Sequence, residues 1–273
     1  MCRLFGYHIM IVSKYFEDII DFINLELVCK KFQGNMGKFH FNPISLNYKT
    51  FGYFPNIETL HLWSKEDETF GNGFMINTKE NRENKGVLKK EFYRIIVWFN
   101  VDFETVENNK SQNIEFKNVT YTQNDRKKFG NNIPSSVTSI GDGVLVDALI
   151  LAVSLNNVTI PSSVTSIGDG CFRQCNSLNN VTLSLSVISI GDGYFYECNS
   201  LHNVFIPSSV TLIGDQCFFK CVSLTGITIP SSMKSIGDCC FKECINLTNV
   251  TIPSGVTSIG IQCFPLNIIV HRD

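Results

Sequence analysis

Two columns of cysteine and one of aspartate run through the second half of this 273-residue chain. Cys171, Cys217, Cys240 and Cys263 form the first column, with Tyr194 standing in it once. Cys175, Cys198, Cys221 and Cys244 form the second. Thiols in this number could ligate a metal, pair as disulfides, or serve as small buried apolar groups. C-x-x-x-C without histidine is not a usual zinc spacing, and Tyr194 would leave one site incomplete. The columns are therefore read as free thiols in tight corners. Asp142, Asp169, Asp192, Asp215 and Asp238 make the acidic column. Stacked carboxylates hold calcium in some β-helix repeats, but those carry a G-G-x-G-x-D pattern that is absent here. The expected role is capping, with each carboxylate accepting N–H bonds from the turn that contains C-F-x-x-C.

No nucleophile elbow, phosphate-binding loop or H-E-x-x-H motif is present. The five histidines (His8, His40, His61, His202, His271) are scattered. Catalysis needs one convergent constellation, whereas these Gly-Asp and Cys positions repeat. The expectation is a protein with no catalytic residues, no cofactor and no metal.

What positions the columns is a 23-residue period. Segments starting at Ile160, Leu183, Ile206, Ile229 and Ile252 each read close to I-P-S-S-V-T-S-I-G-D-x-C-F-x-x-C-x-S-L-x-x-V-T. Another copy starts at Ile133 and carries a four-residue insertion. Such periods are the signature of leucine-rich repeats. Val158/Ile160, Val181/Leu183, Val204/Ile206, Ile227/Ile229 and Val250/Ile252 alternate as the inward side of a short strand. Proline then ends the strand at Pro161, Pro207, Pro230 and Pro253. The fold expected is an α/β repeat: a solenoid with a parallel β-sheet on one face, short helical or irregular turns on the other, and an N-terminal helical cap. The outward strand positions, Asn157, Thr159, Asn180, Thr182, Asn203, Phe205, Thr228, Asn249 and Thr251, form a flat polar face. Phe205 is its one aromatic, and this face is the candidate protein-binding surface. The alternative for Phe205 is an apolar side chain merely left exposed.

I-P-S-S-V-T-S-I-G-x-x-C-F-x-x-C-x-S-L resembles the BspA-like (Treponema pallidum-type) leucine-rich repeat over residues 133–264. The resemblance implies a solenoid used for protein recognition, often surface or adhesion related.

The chain divides by pattern into 1–35, 36–132 and 133–273. In the first part, residues 10–32 are helically spaced, with Asn24 expected to cap a second helix and Gly34 to stop it. Val28, Cys29, Lys30 and Phe32 resemble the end of an F-box, although the usual leading Leu-Pro is absent. That resemblance implies a Skp1-like adaptor bound through Leu27 and Val28, and hence an intracellular ubiquitin-ligase substrate adaptor. The other reading is a plain amphipathic cap. In the second part, 54–63, 92–99 and 113–121 are expected strands flanking a polar loop. In the third, the apolar insert at 144–153 is expected to form a longer, covered helix. A strand at 268–270 is expected to close the stack.

Net charge is −2, split as +2 over residues 1–130 and −4 over 131–273. Neither field favours nucleic acid. No run reaches the roughly 20 apolar residues of a membrane helix. Without an evident signal peptide, the expected compartment is the cytoplasm. The surface association implied by the repeat family is the alternative.

Overall fold

The computed structural model describes residues 11–28, 30–73, 89–146, 156–266 and 268–273. The chain forms two compact units, Met1–Asn118 and Val119–Asp273.

In the first unit, helix α1 (Ile19–Val28) buries one residue completely, Phe22. That ring meets Phe16, Phe39 and Phe54 edge-on, at centroid distances of 5.0, 5.8 and 5.3 Å. The chain is not helical throughout 10–32. Residues 14–18 leave the helix, and Asp18 starts α1 by accepting from the Ile20 and Asp21 N–H groups at 2.8 and 3.1 Å. Asn24, expected to begin a second helix, lies inside α1. Three-residue 3-10 turn Lys30–Phe32 follows, and Gly34 takes the left-handed conformation (φ 72°) that closes it. Strands β1 (Thr59–Leu62) and β2 (Arg94–Asp102) pair in parallel, with Leu60 opposite Ile95 and Leu62 opposite Val97. All four are buried. Helix α2 (Phe103–Asn109) starts where Asp102 accepts from the Thr105 N–H at 2.8 Å. Strand β3 (Ile114–Tyr121) follows. Each of the three segments expected as strands contains one, although 54–63 is strand only over Thr59–Leu62; the polar loop expected at 67–86 falls outside the described residues from 74 onward.

The second unit begins with the last residues of β3. Helix α3 (Gln123–Phe129) is held by a capping box between Thr122 and Asp125. Its Arg126 is buried because the guanidinium is spent on backbone: it donates to the Val144 and Val146 carbonyls at 3.0 and 2.6 Å, and to Asn131 Oδ1 at 2.8 Å. Beyond it the repeats coil. Strands β5 (Asn157–Thr159), β7 (Asn180–Thr182), β9 (Asn203–Phe205) and β11 (Gly226–Thr228) pair in parallel in one sheet. Each register is offset by one repeat, as in Asn157↔Asn180 and Val204↔Ile227. β13 (Asn249–Ile252) pairs with β15 (Ile269–Arg272), the strand expected near 268–270.

A second sheet was not anticipated. The Ser-Ile and Leu-Ile dipeptides form two-residue strands: β4 (Ser139–Ile140), β6 (Ser166–Ile167), β8 (Ser189–Ile190), β10 (Leu212–Ile213), β12 (Ser235–Ile236) and β14 (Ser258–Ile259). β8, β10, β12 and β14 form one parallel sheet, and β6 pairs with β4. The third side of each coil is a turn, not a helix, yet it also bonds along the stack. The N–H groups of Gly193, Phe195 and Glu197 donate to the carbonyls of Asp215, Cys217 and Phe219 in the next coil. Each coil is thus tied to its neighbour on three sides, which satisfies backbone groups that no single 23-mer could pair.

The core between the sides is a ladder of rings. Phe172, Phe195, Phe218, Phe241 and Phe264 stack successively at 5.2–5.6 Å, with interplanar angles of 20° or less. The repeat period fixes this near-parallel stacking, since one ring rises by one strand spacing per coil. Val144 and Leu145, at the start of the 144–153 insert, are buried. Residues 147–153 of that insert, over which most of the helix is expected, lie outside the described residues.

Candidate protein-binding surface

The nine outward positions read from the repeat are brought onto one side of the coils. Asn157, Thr159, Asn180, Thr182, Asn203, Phe205, Thr228, Asn249 and Thr251 are all exposed, while the valines between them are buried and Ile227, expected to be as well buried, is half-buried. The strand register makes these residues columns. Thr182 lies beside Phe205, and Phe205 beside Thr228. Asn180 donates to Asn157 along the neighbouring column at 3.3 Å. Asn249 and Thr251 lie on β13, opposite Ile269 and His271 of β15. The surface is flat and built of short polar groups, apart from Phe205, which stays 66% exposed. An aromatic side chain held on a rigid strand between two threonines offers apolar area at low entropic cost.

Further exposed apolar residues that the repeat pattern did not assign to a surface include Leu185, Ile188 and Leu212. Leu212 lies on β10, on the second sheet rather than the strand face. The signal was available, because each replaces a residue that is Ser or Thr in most copies of the repeat.

The cysteine columns are free thiols buried in the corners. Each thiol of the second column donates to a carbonyl in the coil before it: Cys175 to Leu145, Cys198 to Phe172, Cys221 to Phe195 and Cys244 to Phe218, at 2.9–3.0 Å. Burial pushes the Cys198 and Cys221 thiols well above their ordinary range and Cys244 to about 12. They remain protonated, which a donor requires and a metal ligand or nucleophile does not. Tyr194 fills the gap in the first column. Its ring packs edge-on to Phe172 and Phe195, and its hydroxyl is buried with no partner.

The aspartate column is structural, but its partner differs from the one expected. The carboxylates do not cap their own turn. Asp142, Asp169, Asp192 and Asp215 each accept through Oδ1 from the N–H of the aspartate one coil later, at 2.7–3.0 Å. Asp238 accepts from Ile261 in the same way, at 2.8 Å, where the column ends. Among the described residues no group of three or more His, Cys, Asp or Glu is placed to hold a metal ion. Asp169, Asp192 and Asp215 also wall a groove of about 520 Å³ with Arg173 and Tyr196. In it the Arg173 guanidinium lies 4.5 Å from the Tyr196 ring.

The period, the inward Val/Ile/Leu set, the Phe ladder and the buried thiols together define the repeat type. Residues 148–268 match the BspA-type leucine rich repeat region in six copies. This stretch is a BspA-type leucine-rich-repeat array. Among solved structures, the chain is similar to a leucine rich cell surface protein from Faecalibacterium prausnitzii A2-165. Identity is 34% over 44% of this chain and 30% of that one, with a TM-score of 0.40. A leucine-rich repeat protein from Bacteroides ovatus is 20% identical over 84% of this chain and 55% of that one, at a TM-score of 0.45. The T. pallidum leucine rich repeat protein is 26% identical over 51% and 71%, at 0.41. The chain therefore spans about a third of the Faecalibacterium protein and about half of the Bacteroides one. No curated protein matches it. Among the described residues, no helix of the BspA-type array or of the first unit is long and apolar enough to cross a membrane.

Proposed function

We propose that this chain is a non-catalytic protein-binding scaffold, with the strand face of the array as its recognition surface and the cell surface as its place of action. The observation that carries this reading is Phe205, 66% exposed in the middle of a face otherwise lined by asparagine and threonine. Aromatic residues anchor interfaces more often than threonine or asparagine do, which supports this reading. The surface location draws support from the Faecalibacterium relative, which is described as a cell surface protein. The test is to replace Phe205 with a photo-crosslinking aromatic and treat intact cells. The adduct should form on the outside of the cell and be lost when surface protease is applied first. In the purified pair, Phe205→Ala is expected to cost about 2 kcal/mol of binding, roughly 30-fold in Kd. Thermal stability should change by no more than about 0.5 kcal/mol, because the side chain is outside the core. An unchanged Kd would remove Phe205 from the interface.

A second reading is the intracellular adaptor. α1 presents Leu27 and Val28, each 78% exposed, and Ile20, 58% exposed, while Phe22 anchors the helix from its other side. An apolar stripe of this kind fits helix-to-groove docking onto a Skp1-like adaptor. In a pull-down with such an adaptor, the double change Leu27→Asp and Val28→Asp is expected to abolish capture and leave the fold intact. Capture that survives the change, or that never occurs with the native chain, rejects the adaptor role.

A further inference from the structure

Both tryptophans of the chain, Trp63 and Trp98, sit in one aromatic cluster of the first unit. The register that places Leu62 opposite Val97 also sets Trp63 beside Trp98. Their rings stack at 5.2 Å and 14°. His61 stacks on Phe41 at 4.8 Å and 17°, meets Trp63 edge-on at 5.3 Å, and lies 5.8 Å from Trp98. The cluster is partly open, Trp63 being 39% exposed.

Within it lie two buried ring nitrogens with no hydrogen-bond partner, His61 Nδ1 and Trp98 Nε1. Buried polar atoms are rarely left so, and the two rings that carry these lie 5.8 Å apart. Their chemistry is complementary. The indole N–H only donates. The imidazole is neutral at physiological pH, because burial, and then the Lys117 charge, hold its pKa down to about 4. With its proton on Nε2, the ring offers Nδ1 as an acceptor. A hydroxyl group both accepts and donates, so a single one would serve both atoms. Charged groups border the rings: Arg94 pairs with Glu115 at 3.3 Å, and Lys117 pairs with Glu115 and lies 5.8 Å from the Trp98 ring. They can take further hydroxyls.

We propose that this cluster is a saccharide site, in which a pyranose ring stacks its C–H face on the Trp98 indole while one hydroxyl accepts from Trp98 Nε1 and donates to His61 Nδ1. Trp63, which lies against both rings, turns aside to admit it. The flat indole wall favours a ring with an apolar face over an open polyol, and the paired donor and acceptor favour a neutral hydroxyl over an ion.

Because the chain has no other tryptophan, fluorescence excited on the red edge, where tyrosine does not absorb, reports on this cluster alone. The full chain is titrated with methyl pyranosides of the gluco, galacto, manno and N-acetylglucosamine series, with sorbitol as the open-chain control. At least one pyranoside should give a saturable change that sorbitol does not. Trp98→Phe keeps a ring and removes the indole N–H, and His61→Phe keeps a ring and removes both imidazole nitrogens, the Nδ1 acceptor among them. Either change should weaken binding about tenfold, the loss of one hydrogen bond, and circular dichroism should show the native fold in both. Trp63→Tyr, at the exposed edge, is the fallback should a buried change unfold the chain, and it too should weaken the response. The proposal is overturned by a response that is linear and equal for sorbitol. It is equally overturned if Trp98→Phe and His61→Phe bind as tightly as the native chain, the result expected of nitrogens that are packing defects or bind only water. A response to an extended peptide and to no pyranoside would also reject it.

Discussion

Gly214→Ala is expected to destabilise the array by about 3–5 kcal/mol, far more than a surface glycine change. A Cβ at this position would lie 2.3 Å from Asp192 Oδ1 and 2.7 Å from both the Asp192 nitrogen and the Gly191 carbonyl carbon. Two of these atoms are backbone, so the coils must separate locally. Separation strains the Gly214–Ile190, Gly193–Asp215 and Asp215–Asp192 bonds, all 2.8 Å. Overpacking alone costs about 1–3 kcal/mol, and straining the three bonds without breaking them adds about 2 kcal/mol in all. Gly193→Ala in the adjacent coil is the control. There the Cβ meets nothing closer than 3.8 Å and only the φ of +58° is unfavourable. Gln216, at the equivalent position one coil on, takes φ +53° with a full side chain. About 1 kcal/mol is expected for Gly193→Ala. Urea unfolding of both variants distinguishes the two kinds of glycine. Equal losses would show that the close approach of the coils is not what demands Gly214.

Phe218→Ala is expected to cost about 3–5 kcal/mol. The ring is fully buried and stacks on Phe195 and Phe241, each at 5.2 Å. Its loss opens a cavity in the middle of the ladder, where the coils on both sides depend on it. Phe264→Ala removes the same ring from a site that is only partly buried and has one stacking neighbour in the ladder, Phe241 at 5.6 Å. The loss there should be roughly half that at Phe218, by loss of one of two neighbour interfaces. Denaturant midpoints and slopes measured together would show whether the central change also splits the transition. Equal costs at the two positions would contradict a core built by nearest-neighbour stacking.

These glycine and phenylalanine effects differ in how far the sequence foretold them. The phenylalanines recur in phase with buried valines and isoleucines, and a period is enough to place them in a core. The glycine before each aspartate also recurs, but its reason is a neighbouring coil: Asp192 and Gly191 fill the space of a Cβ on Gly214. The aspartates were legible as structural and not as inter-coil acceptors, because sequence displays the column and not the rise that brings an Asp carboxylate to the next Asp N–H. Two-residue strands such as Ser235–Ile236 are too short to show alternation, so the second sheet had no local signal. Leu185, Ile188 and Leu212 were visible as departures from the consensus. Their exposure follows from the side of the coil on which they fall.

The sequence by itself determined the repeat, its inward residues and the nine outward strand positions, because a strand that alternates and a coil that recurs every 23 residues are local properties of the chain. Only the tertiary structure decided what those residues touch. It passes the Asp215 N–H to Asp192, sets the Cys221 thiol on the Phe195 carbonyl, and places Trp63 against Trp98 across 35 residues of chain. The physical reason is the same in each case. Pairing in a parallel sheet joins residues far apart in sequence, and the register that selects the partner is fixed by burial of the whole stack rather than by either residue.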